Sequence, residues 1–194
     1  MKKLQGMTTY TGVIFDPLHP EEDKIKTEDI AHALSLLCRA NGHASHFYSV
    51  AQHSLYCARE ARARDYSPRV QLGALLHDAS EAYLSDIVRP VKHRLEDYQT
   101  IEARLQKTIF KVYGLGDLRQ EEINLIREID DAMLAYELEY LLKQRVDTPI
   151  KLVGNYDLSF QHMDKVKAIF INSVEKLQEE VFFYHQNRKV SSNQ

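Results

Sequence analysis

Tryptophan is absent from these 194 residues, and glycine, proline and cysteine are scarce, with seven, five and two residues. Few glycines and prolines leave long stretches without a break, which favours helices. Neither Cys38 nor Cys57 belongs to a CxxC unit, so the chain is no disulfide scaffold and is expected to be reduced and cytoplasmic. No run approaches 18 apolar residues and no apolar stretch follows the first residues, so we expect neither a membrane span nor a signal peptide.

The charge balance also limits the partners. The net charge is −3 with neutral histidines. Domains that hold nucleic acid by its backbone usually carry a basic excess, so we expect no nucleic-acid polymer as a partner. A small anionic substrate needs only a local cluster of positive charge, and a small phosphorylated metabolite is therefore allowed.

Apolar residues recur at helical spacing through most of the chain, which predicts an all-α fold with a single domain. We expect an irregular arm with a short hairpin over 1–26, a helical core over 27–187 and a disordered tail over 188–194. The predicted helices cover residues 27–39, 48–64, 68–83, 97–113, 119–145 and 159–186. Apolar residues that we expect to be exposed on the last helix are compatible with a homodimer: Phe170, Phe182, Phe183 and Tyr184.

A metal site is suggested by His77 and Asp78, which are adjacent on the predicted helix 68–83. Neighbouring helical residues point about 100° apart, so both can reach one ion between them. An aspartate in the middle of an apolar helix face is costly unless it is paired or binds metal. His53 lies on the buried stripe of the preceding helix, where a lone histidine would usually be a structural residue.

The fourth ligand should be another buried carboxylate, and two adjacent residues compete for the role. Asp130 lies on the inward stripe of its helix, with Glu137 seven residues further on. Asp131 lies one step round the helix. We favour Asp130, and Asp131 stays open as the alternative.

The order His53, then His77-Asp78, then a distant Asp130, in an all-helical chain, resembles the HD-domain superfamily of metal-dependent phosphohydrolases. Two branches of that superfamily are similar over roughly residues 8–142. Segments 30–35, 38–43 and 46–53 resemble the YfdR-like branch. The run His77-Asp78-Ala79-Ser80-Glu81, with Asp86 and Pro90-Val91-Lys92 after it, is similar to the bacterial 5′-deoxynucleotidase (YfbR-like) branch.

The resemblance implies a role for each matching residue. His53, His77, Asp78 and Asp130 match the ligands of one divalent transition metal ion, and Mn, Co, Fe, Ni and Zn all suit them. Glu81 and Asp86 match catalytic carboxylates, and Arg39 and Lys92 match positions suited to substrate phosphate. The deoxynucleotidase branch has Arg-Trp near Arg39, whereas Ala40 follows here. His46, in the loop before the His53 helix, is a further candidate for substrate contact by its position.

The expected function is hydrolysis of a small phosphomonoester, with a nucleoside or deoxynucleoside 5′-monophosphate favoured, by metal-activated water. Three alternatives remain. The first is hydrolysis of another nucleotide phosphate ester or anhydride within the same superfamily. A non-catalytic nucleotide-binding regulatory module would keep the fold without turnover. A two-iron oxygenase of the HD type would need more histidines between the HD pair and the last aspartate, and there only His93 is found.

Overall fold

The fold is an all-α bundle with a two-strand hairpin at its start, as the sequence predicts. The computed structural model describes residues 6–146 and 150–191, with side chains described through residue 186. The hairpin pairs β1 (Met7–Thr8) with β2 (Ile14–Phe15) in antiparallel register. The helices are α1 Thr27–Leu36, α2 Val50–Ala63, α3 Pro68–Leu76, α4 Glu81–Leu84, α5 Arg89–Lys92, α6 Glu96–Val112, α7 Gln120–Leu142 and α8 Met163–Ser191.

Helix α3 lies at the centre of the bundle, between α2, α7 and α8. All of its residues from Arg69 to Leu76 are buried. Gly73 allows the close approach of α7, because a Cβ there would overlap the side chain of Ile126. Two apolar clusters meet at α3, one towards α1, α6 and α8 and the other towards α2 and α7.

The N-terminal arm lies against the helices. Thr11 donates to the buried carboxylate of Asp29 from its backbone amide at 2.7 Å and from its hydroxyl at 2.9 Å. Phe15 is fully buried and packs against Tyr83. Residues 1–5 of the predicted arm lie outside the described residues.

The predicted helix over 68–83 is wrong, because α3 ends at Leu76 and a tight turn separates it from α4. Within the turn, the amide of Ala79 donates to the carbonyl of Leu76 at 3.1 Å, a bond of 3-10 type. Gln106 of α6 holds the break. Its amide donates to the carbonyl of Leu76 at 2.7 Å, and its carbonyl accepts from the amide of Ser80 at 3.0 Å. His77 and Asp78 therefore project from a turn.

The last helix also differs from its prediction. Phe170, which we expected to be exposed, is fully buried in the core, whereas Phe182 and Phe183 are exposed. The helix continues to Ser191, so residues 188–191 of the predicted tail are helical, while residues 192–194 lie outside the described residues. Among the helices of the described residues, none is both long and apolar enough to cross a membrane.

Candidate metal centre

Four side chains from three parts of the bundle converge on one point: His53 from α2, His77 and Asp78 from the turn after α3, and Asp130 from α7. The Nε2 of His53 lies 3.3 Å from the Nε2 of His77 and 3.1 Å from the Oδ1 of Asp130. The Nε2 of His77 lies 3.2 Å from the Oδ2 of Asp78 and 3.5 Å from the Oδ1 of Asp130. The four residues that were predicted as ligands from the sequence therefore lie close together in the fold.

These donors fit a divalent ion. With ion-to-ligand distances of roughly 2.0–2.2 Å, neighbouring donors of a tetrahedral site lie about 3.3–3.6 Å apart, and adjacent donors of an octahedral site lie about 3 Å apart. The measured separations, including 3.8 Å between His53 Nε2 and Asp78 Oδ2, cover 3.1–3.8 Å. Two imidazoles and two carboxylates form the donor set that Zn, Fe, Mn and Co accept.

Each imidazole turns its Nε2 towards the centre because its other nitrogen is engaged. The Nδ1–H of His77 donates to the carbonyl of Ala74 at 2.8 Å. The Nδ1 of His53 lies 2.6 Å from the buried carboxylate of Glu137. Such outer partners fix the tautomer and orientation of a metal-binding histidine, leaving the Nε2 lone pair for the ion.

The electrostatics of the centre favour a cation. Burial acts to lower the pKa of His77, but Asp78 and Asp130 outweigh it and raise that pKa well above 6.5. Burial acts to raise the pKa of Asp130, but hydrogen bonds from His53 and His77 hold it well below 3.8. The carboxylates are therefore ionised, and positive charge at the centre stabilises them.

Arg39 supplies one positive charge beside the centre. Its side chain is 12% exposed, with Nη1 at 3.3 Å from Asp78 Oδ2 and Nη2 at 3.6 Å from Asp130 Oδ1. It begins a tight turn in which Ala40 (φ 53°) adopts the left-handed region, which is uncommon for alanine. The amide of Ala40 donates to Asp86 Oδ2 at 3.2 Å, so Asp86 anchors the turn that carries Arg39.

A cavity of about 350 Å³ opens over these residues. Its polar lining includes Arg39, Asp78, Glu81, Asp86, Lys92 and Asp130. Its apolar lining includes Leu134, Leu138 and Leu141, which follow Asp130 along α7 at intervals of about one helical turn. At about 1.5 Å per residue, this apolar wall leads roughly 16 Å away from the centre.

Glu81 is the carboxylate in the cavity whose negative charge is least offset by partners. Its side chain is 5% exposed, and its Oε2 has no hydrogen-bond partner among the described residues. Burial, together with the negative charges of Asp78 and Asp86, raises the pKa of Glu81 well above 4.5. Lys92 lies 3.9 Å from Glu81 Oε1, but its closer partner is Glu102 at 2.6 Å.

A second hollow of about 340 Å³ lies towards the beginning of α7. Its lining includes His77, Glu102 and Arg127. Asp78 and Asp130 line this hollow as well as the cavity beside Arg39. The two aspartates of the centre therefore border open space on two sides.

Asp130 and Asp131 have different surroundings, which decides between them geometrically. Asp130 directs Oδ1 to the histidines, and its Oδ2 accepts from Arg89 at 2.6 Å. Asp131 is 56% exposed and accepts from the same guanidinium at 2.6 Å. Only Asp130 of the pair lines the cavity.

His46 is not brought to the centre or to the lining of the cavity. Its Nε2 bonds the carbonyl of Leu158 at 2.8 Å, and its Nδ1 lies 3.1 Å from the hydroxyl of Ser45. His46 therefore lies outside the cavity, and substrate contact by His46 stays a prediction that this geometry does not support. Its bond to the segment before α8 gives it a structural role.

Cys57 belongs to a second grouping that could hold a metal, together with His53 and His77. Its buried Sγ lies 3.5 Å from the Nε2 of His53, one helical turn away on α2. We assign the ion to the set with Asp78 and Asp130, because it joins four donors from three elements. Cys57 packs in the apolar cluster between α2 and α7.

Sequence reasoning missed three contributors to the site. Glu137 had a signal, since it lies on the same stripe of α7 as Asp130. Arg89 had only its position next to the Pro90-Val91-Lys92 motif. Gln106 had no local signal, because its partners Leu76 and Ser80 lie 30 and 26 residues earlier.

Comparison with known proteins adds relatives to this geometry. The sequence model of the HD domain family matches residues 31–194. The chain is 41% identical over 129 residues to the uncharacterized protein YfdR of Escherichia coli K12, covering 66% of this chain and 68% of that protein. It is 39% identical over 110 residues to an uncharacterized protein of Rhodobacter capsulatus, covering 54% of this chain and 56% of that protein.

Proposed function

This chain belongs to the HD domain family, and from that premise we propose that it hydrolyses a small phosphomonoester, with nucleoside and deoxynucleoside 5′-monophosphates as the favoured substrates. Members of the family are typically metal-dependent hydrolases. The observation that carries the proposal is the convergence of two imidazoles 3.3 Å apart, each with its Nε2 within 3.1–3.8 Å of both carboxylates, beside a buried arginine.

The four ligands of the centre and the residues beside it have separate roles in the proposed reaction. His53, His77, Asp78 and Asp130 would hold the ion. When bound, a divalent ion supplies Lewis acidity, which polarises a phosphoryl oxygen and lowers the pKa of water from 15.7 to about 7. Arg39 presents two Nη groups on the side of the centre and is suited to bind phosphate oxygens in pairs.

Glu81 is suited to move a proton. Because burial and its acidic neighbours raise its pKa well above 4.5, its carboxyl holds a proton at higher pH than an exposed glutamate. It can give that proton to the ester oxygen that leaves, and a positioned acid of this kind contributes about 10²–10⁴-fold to a rate. Its unpartnered Oε2 is the atom that serves this role.

The cavity supports a compact substrate. Its volume of about 350 Å³ is near the lower end of the roughly 300–1,000 Å³ found for ligand pockets. The leucines of α7 offer apolar contact to an organic group without hydrogen bonds that would identify a base. Lys92 and Arg89 line the same cavity as Arg39, and they pair with Glu102 and with two aspartates respectively.

A non-catalytic nucleotide-binding module is the second candidate that the site allows. It would keep Arg39 and the cavity but would not need a proton donor. The buried Glu81, whose Oε2 has no hydrogen-bond partner among the described residues, favours the enzyme because it lies beside four metal donors.

Phosphate release tests the proposal directly. Chelator-treated protein is supplied with Mn, Co, Fe, Ni or Zn ions and assayed with nucleoside mono-, di- and triphosphates of each base. We expect metal-dependent release from monophosphates and weak dependence on the base. Release only from di- or triphosphates would overturn the substrate class, and no release by metal-loaded protein would overturn the enzyme in favour of the binding module.

A further inference from the structure

One buried carboxylate contacts both halves of the proposed site. Glu137 lies on α7 seven residues after Asp130, and its residue is 3% exposed. Its Oε1 accepts from the Nδ1 of His53 at 2.6 Å and from the hydroxyl of Tyr48 at 2.9 Å. Its Oε2 accepts from the Nε of Arg39 at 2.8 Å.

We propose that Glu137 is a positioning residue that couples the metal ion to the phosphate: one oxygen orients the metal-binding His53 and the other orients the phosphate-binding Arg39. The inference rests on the proposed function for its two ligands. It goes further by assigning one side chain to the metal ion and to the phosphate. It also predicts that a substitution can lower the affinity for one of these ligands without lowering the affinity for the other.

The first oxygen determines the protonation of His53. An ionised carboxylate only accepts hydrogen bonds, so the Nδ1 of His53 must carry the hydrogen. The same carboxylate also accepts from the Nε of Arg39 at 2.8 Å and from the hydroxyl of Tyr48 at 2.9 Å, so each of these contacts brings a donor to it. The Nε2 lone pair of His53 then faces His77 and Asp130 at the centre.

The second oxygen determines the plane of the Arg39 guanidinium. That group is planar, so a bond to its Nε fixes where both Nη atoms point. In this structure they point to Asp78 and Asp130 at 3.3 and 3.6 Å. Phosphate bound at the ion would meet the same face of the guanidinium.

The arrangement differs from an ion pair that only joins helices. Tyr48 gives the carboxylate a third donor, on Oε1, and its side chain is fully buried. The two oxygens thus accept unequal numbers of hydrogen bonds, two on Oε1 and one on Oε2. This inequality allows one substitution to break only the Arg39 bond.

Glu137→Gln is that substitution. Glutamine keeps one acceptor oxygen, which best serves the position with two donors, His53 and Tyr48. Its NH₂ group then faces the Nε–H of Arg39, and two donors repel. We expect Co²⁺ affinity within about threefold of wild type, while the affinity of the metal-loaded protein for inorganic phosphate falls about 10–100-fold, the loss of one charge-assisted hydrogen bond.

Two further variants complete the design on the full chain. Glu137→Ala should weaken both ligands, with Co²⁺ affinity lower by about 10–100-fold, as when an outer partner of a metal ligand is removed. Tyr48→Phe removes a bond to the same carboxylate and should leave both affinities within about threefold. Co²⁺ is followed by its visible absorption and phosphate by calorimetry.

Equal losses of Co²⁺ and phosphate affinity in Glu137→Gln, or no loss of either, would overturn the coupling, as would wild type that binds no Co²⁺. If Glu137→Gln fails to fold, nitrogen NMR of the histidines in zinc-loaded wild type decides instead, and a hydrogen on Nε2 of His53 overturns the inference. A protein that binds both ligands with the predicted separation but releases no phosphate would refute the proposed hydrolysis and leave the coupling standing.

Discussion

Carboxylates of the same chemistry differ in this site because their surroundings differ. Asp130 faces two imidazoles and is held ionised, whereas Glu81 faces other carboxylates and tends to keep its proton. Asp131, adjacent to Asp130, is half exposed and pairs with Arg89. At the scale of the residue, the groups around a carboxylate therefore determine its role, and single substitutions test that role.

Glu81→Gln should keep the metal and lose turnover. Glutamine has the same shape, but its amide cannot give a proton to the leaving oxygen. We expect kcat to fall about 10²–10⁴-fold at unchanged Co²⁺ affinity. The exposed Glu128→Gln on α7 is the matched control, and a Glu81→Gln rate equal to that of Glu128→Gln would contradict the proton-donor role.

Cys57→Ala should leave the metal in place. Since Asp78 and Asp130 complete the donor set with the histidines, the thiol is not needed as a ligand. We expect Co²⁺ affinity within about threefold of wild type, because the thiol is not among the four proposed donors. The wild-type spectrum should also lack a thiolate-to-cobalt charge-transfer band. The presence of that band in wild type and its loss in Cys57→Ala would assign the ion to Cys57 instead.

At the scale of elements, the site depends on backbone segments that other elements hold. The turn that carries His77 and Asp78 is held by Gln106 of α6. The segment before α8 is held by the buried Glu60 of α2, whose carboxylate accepts from the amides of Val153 and Gly154 at 2.8 and 3.0 Å. Side chains far along the sequence thus satisfy the backbone where helices break.

Gln106→Leu should destabilise the fold and weaken the metal centre together. It leaves the amide of Ser80 and the carbonyl of Leu76 without their side-chain partner, at about 1–3 kcal/mol for an unmade buried bond. Urea unfolding and Co²⁺ titration measure both effects. Gln120→Leu on the exposed start of α7 is the control; comparable stability of the two variants would mean that Gln106 does not hold the turn.

Glu60→Gln should lower stability in a way that depends on pH. Burial acts to raise the pKa of Glu60, but hydrogen bonds from Val153, Tyr156 and Gly154 outweigh it, and the pKa lies below its ordinary 4.5. The stabilisation is therefore full above pH 4.5 and is lost as the pH falls through the lowered folded-state pKa. We expect a difference in unfolding free energy of about 2 kcal/mol at pH 7 that shrinks in acid. A difference that stays constant down to pH 3 would contradict the assignment.

At the scale of the molecule, local information predicted the helices, and long-range contacts determined the rest. The spacing of apolar residues indicated the bundle because that spacing is a local property. The end of α3 at Leu76 could not be read locally, since Gln106 holds it from another helix. The partner of Arg39 could not be read locally either, because its bond to Glu137 joins residues 98 positions apart. Phe170 was expected to be exposed with Phe182 and Phe183, but it is fully buried in the core whereas the other two are exposed.

The metal quartet was accessible from sequence for a different reason. A buried carboxylate on an apolar stripe is costly without a partner, so Asp78 and Asp130 stood out against their surroundings. His53 joined them through the HD pair and the family resemblance. The competition between Asp130 and Asp131 needed coordinates, because adjacent helical residues differ only by rotation.

Metal binding by Asp130→Asn and Asp131→Asn tests the centre most directly. Equilibrium dialysis of chelator-treated protein, with metal analysis of both compartments, gives the stoichiometry and affinity for Zn²⁺, Mn²⁺ and Co²⁺. We predict one ion per chain for wild type and for Asp131→Asn, with affinities within about threefold. For Asp130→Asn we predict an affinity lower by more than about 100-fold, beyond the cost of an outer partner. Equal losses in the two variants, or wild type that takes up no ion, would contradict a metal centre formed by His53, His77, Asp78 and Asp130.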